Sequence, residues 1–139
     1  MSESRELIYK LIREKSKVKQ DVFQNTKDQF LLLKEVLKES NDDVSEKMSE
    51  DNRLEFYFKE KGEFEAEIKL AGDILIFHMH TNVFQFDKSH SLWRSNYLKD
   101  DETNGFVGII NVYNFLADSF KFQRGRDVGY LIARIFINR

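Results

Sequence analysis

The stretch Glu63-Phe64-Glu65-Ala66-Glu67-Ile68-Lys69-Leu70 decides the fold. Phe64, Ala66, Ile68 and Leu70 alternate with Glu63, Glu65, Glu67 and Lys69, the period of two that sends successive side chains to opposite faces of a β-strand. One apolar and one charged face mark a strand of an antiparallel sheet, because strands of a parallel sheet are apolar on both sides. Working outward, Leu54, Phe56 and Phe58 alternate with Glu55, Tyr57 and Lys59, and Lys61-Gly62 supplies a turn between the two runs, which predicts a hairpin. Gly72-Asp73 supplies the next turn. The run Ile74 to Met79 is apolar on both faces, as a central strand covered from both sides requires.

Toward the N-terminus the period changes. Leu7, Leu11, Val18, Val22, Phe30, Leu33 and Leu37 fall at helical spacing, with Ile8, Ile12, Phe23, Leu31, Leu32 and Val36 widening the stripe. This predicts helix over about 5–40, either one long helix or a pair divided at the polar residues Glu14 to Lys17, where Ser16 is a candidate N-cap. The run FLLLKEVL from Phe30 to Leu37 is apolar over more than one face, more than a single sheet contact needs. It points to Phe30, Leu31, Leu33 and Leu37 as an interface with a second copy or another protein. Asn41 to Asn52 is polar and reads as a helical extension or a loop.

Toward the C-terminus, 87–104 is polar apart from Leu92, Trp93, Tyr97 and Leu98 and reads as a long loop with room for a short helical turn. Trp93 and Tyr97 either contact a ligand or partner or fold back over a sheet edge. Gly105 to Leu116 favours a strand, while Asn111 to Phe122 is compatible with strand or helix; Gln123 to Asp127 is a turn, and Val128 to Ile137 is a final strand. The expected architecture is a single α+β domain over 1–139: a long N-terminal helix or helix pair on a mostly antiparallel meander of about five strands, the sheet running from about 53 to 138.

Composition narrows the function classes. The 139 residues fit one domain. With 22 basic and 24 acidic residues the net charge is -2, so no whole-molecule field draws the chain to nucleic acid or an anionic membrane. The absence of cysteine excludes disulfides, thiolate nucleophiles and thiolate metal ligands. No stretch approaches the roughly 20 apolar residues of a membrane span, and the first residues lack an apolar signal-peptide core, so the expected compartment is the cytoplasm. With no proline and only 6 glycines, long elements and few tight turns are expected.

Four groups of residues carry candidate chemistry. His78 and His80, two apart on one strand, share a face and can present two imidazoles to a metal, with His90, Asp87 and Asp73 as completing ligands. Gly72, His78 and His80 resemble the first motif of cupins, with Gln85 near where that family carries a glutamate ligand. The second cupin motif has no counterpart, since the chain lacks proline and has no histidine after His90. Glu63, Glu65, Glu67, Lys69 and Asp73 resemble the carboxylate and lysine set of metal-dependent nucleases, but with the aspartate after rather than before the Glu-x-Lys, and a solvated strand face has the same pattern. Lys121, Arg124, Arg126 and Arg134 beside Phe120, Phe122 and Tyr130 could hold single-stranded nucleic acid, though equally they suit a hairpin end. Trp93 and Tyr97 form the fourth group. No nucleophile elbow, phosphate loop or Ser/His/Asp order is present, and no cofactor is expected.

Taken together, HTNVFQFD at 80–87, Trp93, Tyr97, NVYNFLADSF at 111–120 and GYLIARIFIN at 129–138 resemble an uncharacterised family of small bacterial proteins, over most of the chain from Val18 onward. The resemblance implies bacterial origin and no activity, cofactor or partner. Members of that family continue past the counterpart of Ile135 to Asn138 into another strand, so it also implies an edge strand that a chain ending at Arg139 lacks.

The leading expectation is a non-enzymatic cytoplasmic domain that self-associates or binds a protein partner through the helix face, with the Trp93 loop as a further candidate contact. A small-molecule or metal-dependent enzyme using His78 and His80 is the alternative, and nucleic-acid binding through Lys121 to Arg134 the third.

Overall fold

The computed structural model describes residues 2–51, 53–116 and 129–138. One helix, α1, runs unbroken from Ser2 to Lys47. At 46 residues it is about 69 Å long. The division anticipated at Glu14 to Lys17 does not occur, because Ser16 is only a weak breaker and neither glycine nor proline lies anywhere in the helix. Asn41 to Lys47 continues the same rod.

Six strands follow among the described residues: β1 (Phe56–Glu60), β2 (Glu65–Leu70), β3 (Asp73–Met79), β4 (Phe84–Gln85), β5 (Phe106–Leu116) and β6 (Tyr130–Ile137). Every pairing is antiparallel, in the order β1-β2-β3-β5, with β6 also on β5 and the short β4 against the start of β5. The α+β architecture with a long helix on an antiparallel sheet is therefore as expected, with one strand more than about five. The extra one is β4, a two-residue pairing of Phe84 with Val107 and Gln85 with Phe106 that has no strand-length signal of its own. Asn111 to Leu116 is strand, as its β-branched and aromatic content favours; the remainder of that ambiguous stretch lies outside the described residues.

The two hairpin turns differ in chemistry. Gly62 takes a positive φ of 87° in the turn after β1. Between β2 and β3, with Leu70 opposite Asp73, the left-handed residue is Ala71 at φ 57° rather than the adjacent Gly72. An alanine there bears a Cβ clash that glycine would avoid.

Cross-strand partners share a face, so the register divides the sheet. Phe58, Ile68 and Leu75 form one helix-facing row, and Ala66, Phe77 and Val112 the next. Together with Met79 and Ile110 they enclose Phe30 of α1, with Phe23, Leu33 and Leu37 packed around it. A smaller cluster joins Val18 and Val22 to Phe106 and Val83.

The buried residues Val18, Val22, Thr26, Phe30 and Lys34 succeed one another every four positions. A step of four overshoots a helical turn by about 40°, so the contact line winds around α1 as it crosses the twisted sheet. The helix comes close to β5 at Gly108, where a Cβ would overlap Thr26 Oγ1 and stand 2.8 Å from Thr26 Cβ and Cγ2. Thr26 is wholly buried and donates its hydroxyl to the Val22 carbonyl at 2.6 Å.

Candidate functional site

The polar groups closest to a site in character lie on the sheet face turned away from α1. Glu65, His78, Asn111 and Arg134 form one cross-strand row on β2, β3, β5 and β6, and Arg134 Nε donates to Asn111 Oδ1 at 3.2 Å. In the neighbouring row Glu67 is only 7% exposed, so this face of the β2 alternation is not simply solvated. Its carboxylate accepts from Tyr57 Oη at 2.7 Å and lies 3.9 Å from Lys61 Nζ. Burial, and then the adjacent Glu67 carboxylate, push the Tyr57 hydroxyl well above the usual phenol range. Glu67 thus has its charge answered from two sides, which makes it a structural carboxylate rather than a free base.

Two of the three histidines, His80 and His90, are held by local hydrogen bonds. His80 Nδ1 accepts the Asn82 N–H at 3.0 Å and its ring meets Phe84 edge-on at 4.7 Å. The His78 and His80 rings stand 6.5 Å apart and nearly perpendicular. His90 is the N-cap of a 3-10 turn, Ser91–Arg94, its Nδ1 accepting from Leu92 N–H at 3.1 Å. Among the described residues no three His, Asp or Glu side chains come together in a group that could hold a metal. Asp87 is used in the same local way: the Ser89 N–H and hydroxyl both donate to it and hold its carboxyl below the usual range.

The Trp93 and Tyr97 segment folds back onto the sheet. Trp93 Nε1 donates to the Phe86 carbonyl at 3.1 Å, and the Trp93 ring stands against Gly105 so closely that a Cβ there would be 3.1 Å away. Lys88 Nζ covers the ring from 4.6 Å. A short helix α2 (Asn96–Asp100), N-capped by Ser95, carries Tyr97, whose hydroxyl accepts from Asn138 Nδ2 at 2.5 Å, while its Leu98 is buried. The segment therefore closes the end of β6, aided by Phe86 against Phe136 at 5.4 Å. Lys121, Arg124 and Arg126, proposed with Arg134 as a basic cluster, lie outside the described residues.

A cleft of about 670 Å³ separates α1 from the β3–β4 connection, lined by Lys19, Gln20, Phe23, Asn82, Val83 and Phe84 among others. Among the described residues Lys19 is the only ionisable one of its lining, so these residues offer no acid–base pair.

Sequence reasoning missed Lys34. Its ammonium, with the side chain 6% exposed, donates to the carbonyls of Gly62 (3.2 Å) and Glu63 (3.0 Å), pairs with Glu60 at 3.1 Å and sits 5.0 Å over the Phe30 ring. With the Lys27–Glu63 ion pair it ties α1 to the β1–β2 turn. The signal was a lysine in the apolar stripe, four residues after Phe30.

Among the described residues, apolar surface also remains without an intramolecular use. Ser2 to Lys17 is exposed on every side, leaving Leu7, Ile8, Tyr9, Leu11 and Ile12 each about half accessible. Of the predicted helix interface, Phe30 is in the core and Leu33 and Leu37 pack on it, whereas Leu31 is exposed together with Leu32 and Val36. Compared with protein-family models, curated proteins and solved structures, the chain finds no match. No described helix is long and apolar enough to cross a membrane.

Proposed function

We propose that the protein is a self-associating module that pairs with a second copy of itself through the projecting N-terminal part of α1. The observation that carries this is the stripe of Leu7, Ile8, Leu11 and Ile12, on about 24 Å of helix that extends past the sheet and, among the described residues, has nothing to pack on. An isolated helix of this length is marginal in water and gains most of its stability by burying such a stripe. Glu3, Lys10, Glu14 and Lys17 run along one flank of the stripe with alternating sign. In an antiparallel pair like flanks meet, so Lys10 of one copy opposes Glu14 of the other, a match that a partner of single charge sign would not offer.

Sedimentation velocity over a concentration series tests the proposal. Association that weakens in Leu11→Glu, with the far-ultraviolet spectrum unchanged, is the expected result. A strict monomer at the highest attainable concentration overturns it.

A further inference from the structure

The two outer strands of the sheet are built differently. β1 has five residues, two of them the charged Lys59 and Glu60, and α1 lies against it through the Lys34–Glu60 pair. Charge and cover of this kind protect an edge from pairing with another chain. β6 has eight residues, YLIARIFI, with Arg134 its one charge. Among the described residues its only strand partner is β5. Seven of the eight are exposed. Among the described residues, Tyr97 and Phe86 close only its last residues, from Phe136 onward, and leave Tyr130 to Ile135 open.

We infer that β6 pairs antiparallel with β6 of a second copy, joining the two sheets into one across a two-fold axis. The exposed side chains fit such a pairing. Tyr130 at 75% exposure and Ile135 at 38% lie on the face toward α1, Leu131 at 43% and Phe136 at 49% on the opposite face, and Ile132 at 54% sits at the register shift opposite Val112 and Tyr113. An antiparallel second strand would therefore bring apolar cross-strand neighbours together on both faces of the joined sheet. A second copy is the natural occupant, because a strand edge is complementary to itself when reversed, and an isologous contact closes at two subunits.

The geometry of α1 adds a second contribution. Edge pairing of one strand with itself places the two-fold axis perpendicular to the sheet, so both helices lie on the same face. An apolar groove lined by Leu32, Leu33, Val36, Ile110, Ile135 and Ile137 runs between α1 and β6 on that face. Its outer wall, Leu32 and Val36, is exposed and would meet its equivalent from the second copy. The inference deepens the self-association proposed above, on which it rests for the choice of occupant, but it uses a different surface.

The test is Ile132→Lys beside Leu11→Glu in the full chain, read by sedimentation equilibrium and by amide hydrogen exchange of β6. Ile132 is half exposed, so the lysine is compatible with the fold, and unchanged thermal unfolding of the dilute protein checks this. The expected outcome is a dimer whose β6 amides gain at least tenfold protection on concentration, a gain abolished by Ile132→Lys and retained in part by Leu11→Glu. If Ile132→Lys leaves association and β6 protection unchanged, the edge pairing is overturned while the helix pairing stands or falls with Leu11→Glu. If Leu11→Glu has no effect but Ile132→Lys gives monomer, the edge pairing holds and the helix pairing falls. Open-ended assembly beyond two copies overturns the two-fold closure.

Discussion

Replacing Gly108 with alanine is expected to be among the most damaging single-methyl changes in the molecule. The added Cβ would overlap Thr26 Oγ1 and press on Thr26 Cβ and Cγ2, each at 2.8 Å. Cβ is fixed to the helix backbone, so Thr26 cannot swing clear as the end of a long side chain would. Either α1 lifts from β5, loosening the fully buried Val22 and Phe30 on either side, or the Thr26 hydroxyl gives up its bond to the Val22 carbonyl. Overpacking of a tight core costs about 1–3 kcal/mol, and loss of a buried hydrogen bond adds about 1 kcal/mol, so Gly108→Ala should cost about 3 kcal/mol. For a domain of this size that is a fall of roughly 10 °C in the unfolding midpoint. Urea unfolding followed by circular dichroism and Trp93 fluorescence measures it. Thr26→Ala removes two of the three obstructing atoms, so the double variant should recover at least about 1 kcal/mol relative to the sum of the single changes. A cost below about 0.5 kcal/mol for Gly108→Ala, or strict additivity, would show that the helix does not seat on this glycine.

Other perturbations follow from the same geometry. Lys34→Met should destabilise by about 2–3 kcal/mol in urea unfolding, because it strips two carbonyls of a charged donor and leaves Glu60 unanswered; Lys34→Arg should recover part of the loss. Ala71→Gly should stabilise by about 0.5–1 kcal/mol, relief of the left-handed Cβ clash outweighing the extra freedom of the unfolded chain. Tyr57 binds its proton more tightly folded than unfolded, so its contribution is intact below the ordinary phenol value of about 10 and is lost as pH rises beyond it. Wild-type unfolding should therefore steepen above that pH, and Tyr57→Phe should flatten the dependence, with one fewer late-ionising phenol in an ultraviolet titration.

Periodicity was the legible part of this fold. The alternation across Glu63 to Leu70 located β2 and put Ala66 and Ile68 on the helix, and the stripe from Leu7 to Leu37 located α1. What periodicity could not show was the extent of elements whose ends depend on tertiary contact. Asn41 is buried and helical although its neighbours are polar, and β4 exists only because Val107 and Phe106 are there to pair with it. The candidate sites were less legible, for a related reason. Pattern identifies side chains capable of chemistry but not the hydrogen bonds that already occupy them, and His80, His90 and Asp87 are all engaged in turns of their own. Phe30 was misplaced as an interface residue because a wide stripe on a helix that winds across a twisted sheet buries different sides at different heights.

The unbroken length of α1 has a mechanical meaning. A rod seated on Thr26 and Gly108, with roughly 24 Å of arm beyond Val18, is a lever with its fulcrum at that close contact. Without a glycine or proline to act as a hinge, a sideways load on Leu7 or Ile12 cannot be absorbed by bending and arrives as torque on Val18, Val22 and Phe106. Whatever takes hold of the arm thereby also presses on the sheet.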